Sequence, residues 1–159
     1  MSGLSKIVKT ISNIAFPFIM IYGLYIIAHG HLTPGGGFQG GAVVASSCTM
    51  ILVAYGSIWT MGKIKEKNLL LLESTGAICF IILALLGLGF GTVFFNNFLV
   101  NSNFLFGVVP ITGSTIGNIN TGGVIPLMNF AVGLKVIAGL FAIVLIMAYA
   151  GRRKKEVKK

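Results

Sequence analysis

The sequence predicts an all-α integral membrane protein with four transmembrane helices. Composition points there first. The chain has 159 residues, 55% of them hydrophobic and only 9% charged, with a mean hydropathy of +0.94, where soluble domains carry about 25% charged residues. Second, four apolar runs each reach the ~20 residues that cross a bilayer. Third, the basic residues gather at the ends of those runs, where topology signals lie.

We place the spans at residues 8–28, 40–61, 69–95 and 124–150 of a single membrane domain, 1–159, with a basic tail at 151–159. Lys6 and Lys9 precede the first run, and Lys63, Lys65 and Lys67 separate the second from the third. Arg152, Arg153, Lys154, Lys155, Lys158 and Lys159 follow the fourth. Four spans put all three clusters on one side, so the positive-inside rule predicts both termini in the cytoplasm of a cell-membrane protein. The net charge of +9 then reads as an orientation signal, helped by anionic lipid near the tail, and gives no support to nucleic-acid binding. The first run is too long for a signal-peptide core and lacks a small-x-small cleavage site, so it should stay as a span. Cys48 and Cys79 fall deep inside spans and should act as small apolar residues.

The first span carries Pro17, which frees a backbone carbonyl and favours a kink. Ser12 and Asn13 sit near its cytoplasmic boundary, as interfacial caps or as partners for the freed backbone. Between the first two spans lies His29–Gly41, dense in backbone punctuation. Pro34 biases Thr33 out of the helical region, ending the first helix by about that point. Gly35, Gly36 and Gly37 permit a sharp reversal, Gln39 follows, and the second helix restarts near Gly40 and Gly41. A turn this rich in glycine should be pressed against a neighbour, either the outer loop of this chain or a partner. Gly35-x-Gly37-x-x-Gly40 also matches the dinucleotide fingerprint, but that motif needs a preceding strand and an acid about 20 residues on. A membrane span precedes it, the chain has no Asp and Thr60 occupies the acid's place. Nucleotide binding is excluded on that ground.

In the second span Gly41, Ala45, Cys48/Thr49 and Gly56 recur at helical spacing, a stripe that lets helices approach closely. Ser46 and Ser47 beside it either bond back to their own helix or line a polar path. The third span places Glu73 about one turn inside the membrane, with Gly76, Ala77, Ala84, Gly87 and Gly91 on the same face. Gly87, Gly89 and Gly91 weaken its outer end, where the helix should stop early. The connection 96–123 is uncharged and too apolar to stay solvated. It should fold over the outer surface or be covered by a partner.

Lys135 is the most informative single residue. It lies about two residues from the midpoint of the fourth span, hence ~3 Å from the bilayer centre at helical rise. A lysine there costs at least ~2.5–3.5 kcal/mol and must face protein, water or a counter-charge. Ala131, Ala138, Gly139 and Ala142 around it leave room for another helix. Glu73 is offset from it by ~10 Å along the normal by helical rise, which a lysine stem bridges only partly. A group on another subunit, or water, is therefore the favoured partner. Lys135 and Glu73 either belong to a proton or cation path or lock the subunit to its neighbours. His29 and His31 are two apart, which points them in different directions on a helix. With no third ligand nearby they do not make a zinc site. Ring hydrogen bonds that fix the turn are the main reading, and a proton relay is the alternative.

His29–Gly41 followed by Ala42-Val43-Val44-Ala45 resembles the B subunit of Mrp (Mnh)-type multi-subunit cation/proton antiporters. Gly122-Gly123-Val124-Ile125-Pro126-Leu127-Met128-Asn129-Phe130-Ala131-Val132-Gly133-Leu134-Lys135-Val136 resembles that family's last span, including its lysine. The resemblance covers nearly the whole chain. It implies a small membrane subunit of a larger complex, either a stand-alone sodium/proton antiporter or an antiport module fused to a membrane-bound hydrogenase or sulfur reductase. Pro34, Gly35, Gly36, Gly37 and Lys135 match the family pattern; Glu73 is a candidate from its own position.

The expected protein is therefore a non-catalytic subunit that supports or lines a cation pathway for Na+ and H+, beside other membrane subunits and lipid. It needs no cofactor, metal, nucleotide or nucleic acid. Two rival readings remain: a small autonomous proton-coupled transporter using Glu73 as its carboxylate, and a purely structural assembly subunit. A thiol-oxidising membrane enzyme would need exposed cysteine pairs, which Cys48 and Cys79 do not supply.

Overall fold

The computed structural model describes residues 4–32, 35–90, 93–100, 102, 104–108 and 120–157. Among these, every regular element is helical: α1 (Lys6–Ala28), α2 (Gly36–Tyr55), α3 (Ser57–Lys63), α4 (Glu66–Gly89), a single 3-10 turn (Leu105–Gly107) and α5 (Ile125–Val157). Helices α1, α2, α4 and the Ile125–Gly151 part of α5 are long and apolar enough to cross a membrane. The four-span expectation holds.

The inner pair is α2 and α5; α1 packs mainly on α2 and α4 on α5. Ala45, Leu52, Leu69, Phe141, Ala142 and Leu145 form the buried core, while α1 and α4 turn Phe18, Ile21, Ile78, Ile81 and similar side chains outward. That outward apolar surface is what a helix facing lipid presents.

Four boundaries lie well away from those read in the sequence, and the starts of α1, α4 and α5 differ by only a few residues. The second helix starts at Gly36. Only Gly35, with φ +79°, takes the left-handed conformation; the glycines that follow are helical. They are there for contact. A Cβ at Gly40 would come within 2.6 Å of the Gly23 carbonyl on α1, and one at Gly41 within 2.8 Å of Val136 on α5. Gly36 is likewise pressed on Gly30. Helix propensity disfavours such a run, but close backbone approach between membrane helices favours it. The neighbours pressed against the stretch are thus mainly α1 and α5. Thr33 and Pro34 lie outside the described residues.

The second span ends at Tyr55, short of residue 61, because Gly56 adopts φ +88° and ψ 159°, a conformation open essentially to glycine alone. The chain then restarts as α3. The third helix stops at Gly89, short of residue 95, where its glycines weaken it. The basic tail continues α5 as helix through Val157.

Helix α1 runs through Pro17. Asn13 neither caps nor repairs it: its amide donates to the Tyr55 hydroxyl at 2.8 Å and its carbonyl accepts from that hydroxyl at 3.1 Å, tying α1 to the end of α2. Ser46, Ser47 and Thr49 all bond back to carbonyls of their own helix. Cys79 is exposed on α4, so depth in a span is not burial in the bundle.

The described parts of the outer connection fold back over the helix ends. Asn97 donates to the Gly122 carbonyl at 2.8 Å and accepts from the Val124 N–H at 2.7 Å, which secures the start of α5. The Gly123 N–H donates to the Phe106 carbonyl at 2.9 Å, and Phe90 stacks on Phe98 with centroids 4.6 Å apart.

Candidate functional site

Two groups of candidate residues emerge, at different depths. The first is the seam between α4 and α5. A Cβ at Gly76 would lie 2.8 Å from both the Ala131 carbonyl and the Lys135 backbone nitrogen, so the two helices meet almost backbone to backbone. One turn nearer the basic end, a Cβ at Gly139 would stand 3.4 Å from the Glu73 carboxyl. Glu73 is thus level with Gly139, and its offset from Lys135 is about 6 Å at helical rise rather than ~10 Å. The helix register across the seam makes that difference.

Glu73 is half-buried, and Lys135 is exposed on the surface of the chain. Among the described residues neither has an ion-pair partner within 4.0 Å. The seam brings the two candidates together on adjacent helices without joining them.

The second group lies at the glycine-rich end. His29 caps the C-terminus of α1 and its ring packs tilted against that of Tyr25, at 4.0 Å between centroids. His31 follows in the turn, with Gly122 packed on its ring: a Cβ there would be 3.0 Å from Cδ2. The ring hydrogen bonds expected of His31 are not formed, since both its nitrogens are buried without a partner among the described residues. The same is true of the Asn129 side-chain nitrogen. Asn129 sits in the first turns of α5, wedged against the glycines: a Cβ at Gly30 would be 2.8 Å from its Nδ2 and one at Gly37 3.0 Å from its carbonyl.

Sequence reasoning does not single out Asn129. Its signal is present, an amide in the apolar opening of the fourth span, but its importance depends on facing Gly30 and Gly37. Gln39 is exposed, its side chain lying against Gly35. Asn129 faces the α1–α2 side and Lys135 borders α4, so the two groups stand apart. Among the described residues, no three His, Cys, Asp or Glu side chains cluster as a metal site would require.

Comparison with known proteins agrees with this architecture. The profile of the family described as a domain related to the MnhB subunit of Na+/H+ antiporter matches residues 7–142. An uncharacterized protein of Methanocaldococcus jannaschii is 36% identical over 146 residues, 88% of this chain and 52% of that protein. A Na+/H+ antiporter subunit of Bacillus subtilis is 29% identical over 109 residues, 69% of this chain and 72% of that one. Among solved structures, a chain of the membrane-bound sulfane sulfur reductase, an archaeal respiratory membrane complex, superposes with a TM-score of 0.67 at 30% identity, covering 92% of this chain and 61% of its own length. This chain thus spans about half the length of the Methanocaldococcus relative. With four membrane-spanning helices, the glycine-packed α1–α2 junction and a family match over residues 7–142, the chain belongs to the MnhB family of antiporter subunits.

Proposed function

We propose that this protein is a non-catalytic membrane subunit of a multi-subunit sodium/proton antiport module, and that its α4–α5 seam forms one wall of a cation pathway completed by neighbouring subunits. The module stands alone or is attached to a respiratory redox complex, the class to which the sulfur reductase that the fold matches belongs. It lies in the cell membrane with its basic end, and both termini, in the cytoplasm.

One observation carries the reading: Lys135, in the middle of a membrane-spanning helix, is exposed on the surface of the isolated chain. Left facing lipid, it costs at least ~2.5–3.5 kcal/mol. A partner subunit or a water-filled path at this surface removes that cost, and Glu73 one turn away supplies the carboxylate that a cation path uses. This favours a subunit over a self-sufficient carrier.

The test replaces Lys135 by Ala and Glu73 by Gln in the assembled complex, measuring sodium/proton exchange in vesicles and the subunits that co-purify in mild detergent. Loss of exchange in a fully assembled complex supports the pathway. Loss of co-purification makes the seam an assembly contact. Full exchange by both variants removes these residues from the mechanism, and transport by the purified chain alone overturns the subunit reading.

A further inference from the structure

At the basic end of the bundle, away from the seam and from the glycine-packed junction, α1, α2, α3 and α5 enclose a groove of about 300 Å³. Phe16, Ile51, Ile64 and Phe141 supply apolar walls, and the exposed Trp59 and Lys63 border it. We propose that this groove seats an acyl chain of an anionic phospholipid, whose headgroup lies against Lys9 and Lys63.

Three observations support that occupant. The polar side chains of the walls are already satisfied. Asn13 and Tyr55 bond each other and Thr60 donates to the Gly56 carbonyl at 3.1 Å, so the interior offers hydrocarbon contact and little else. The charges around it are positive: Lys63 lines it, and the Lys9 ammonium lies 5.3 Å from the centroid of the Tyr55 ring. Tyr55 and Trp59 stack with centroids 4.4 Å apart, the aromatic pair expected at headgroup level.

A helix of another subunit fits less well. A helix with its side chains is about 10–12 Å across, wide for a groove of this volume. A partner helix also tends to carry its own lysines and arginines at this level, by the same topology rule, and would repel Lys9 and Lys63. Anionic headgroups are attracted to them.

Trp59 is the sole tryptophan of the chain and borders the groove, so it reports the occupant directly. The assembled complex and its Trp59→Phe counterpart are reconstituted with acyl-brominated phosphatidylglycerol or with phosphatidylcholine of the same chains. The difference in tryptophan fluorescence isolates Trp59. We expect phosphatidylglycerol to quench it at lower mole fraction than phosphatidylcholine. The Lys9→Gln/Lys63→Gln double variant should weaken that preference by about 30-fold, two lysines at the usual strength of a juxtamembrane lysine. Lys67→Gln, a lysine outside the groove, should leave the preference in place, and Cys48→Phe should lower quenching by both lipids. Equal quenching by the two lipids in the wild-type complex overturns the proposal. So does a loss with Lys67→Gln as large as that of the double variant, which would mean diffuse surface attraction. Absence of quenching by either lipid means that protein fills the groove, and overturns it as well. If the double variant does not assemble, the comparison of the two lipids on wild type decides alone.

Discussion

Glu73 and Gly139 meet across the α4–α5 seam, with the carboxyl of one 3.4 Å from where a Cβ of the other would stand. The carboxylate reaches α5 because Gly76 lets α4 settle on the backbone around Lys135. Two glycines thus bring an acid to about one helical turn from a lysine.

A bulkier residue at 139 should separate structure from charge. Gly139→Leu displaces the Glu73 carboxylate while keeping both charges. If the seam carries cations, sodium/proton exchange falls as it does in Glu73→Gln, with the subunits still co-purifying. Wild-type exchange by Gly139→Leu would show that the position of Glu73 is immaterial.

The α1–α2 junction should be the part of the fold least tolerant of side chains. Gly40→Ala places a Cβ 2.6 Å from the Gly23 carbonyl and 2.8 Å from the Ile27 nitrogen, where backbone must yield. A loss of about 1–3 kcal/mol is expected for such overpacking. Equilibrium unfolding in mild detergent measures it, with Gly62→Ala as the contrast, because nothing lies within 4 Å of that position.

Tyr55→Phe removes the Asn13 contact and tests what a single interhelical bond is worth here. The expected loss is about 0.6 kcal/mol, the average for such bonds between membrane helices. The same unfolding measurement applies, and Asn13→Ala should cost no more when combined with it than alone.

Asn129→Leu should behave differently from other buried substitutions. The side-chain nitrogen has no partner among the described residues, so replacing the amide by an apolar group of similar size should cost no more than about 0.5 kcal/mol. If Asn129 and His31 serve transported ions or protons, exchange drops although stability does not. Unchanged exchange would assign Asn129 to packing.

Much of the architecture is legible without coordinates. Each span announces itself by length and hydropathy, and the glycines at 87 and 89 foretell the early end of α4. The stretch from Gly35 to Gly41 is readable as tightly packed, but its conformation is not: glycine-rich sequence reads as a turn, and here all but Gly35 are helical. Gly56 shows the opposite error, reading as part of a packing stripe where its φ of +88° ends the helix. Local preference could not decide either case, because the energy that decides them comes from contact with another helix.

The candidate site divides in the same way. Lys135, Glu73 and the two histidines stand out as single residues, since a charge inside an apolar span, or a titratable ring at the end of one, is a property of that residue and its place along the chain. Their grouping is different in kind. That Glu73 is level with Gly139, that His31 lies under Gly122 and that Asn129 faces Gly30 and Gly37 are all relations between segments distant in sequence. The sequence alone determined that this chain lives in a membrane as four helices, because burying apolar length in lipid depends on each segment separately. The tertiary structure alone decided which polar groups meet, because helix register is set by how closely two backbones can approach.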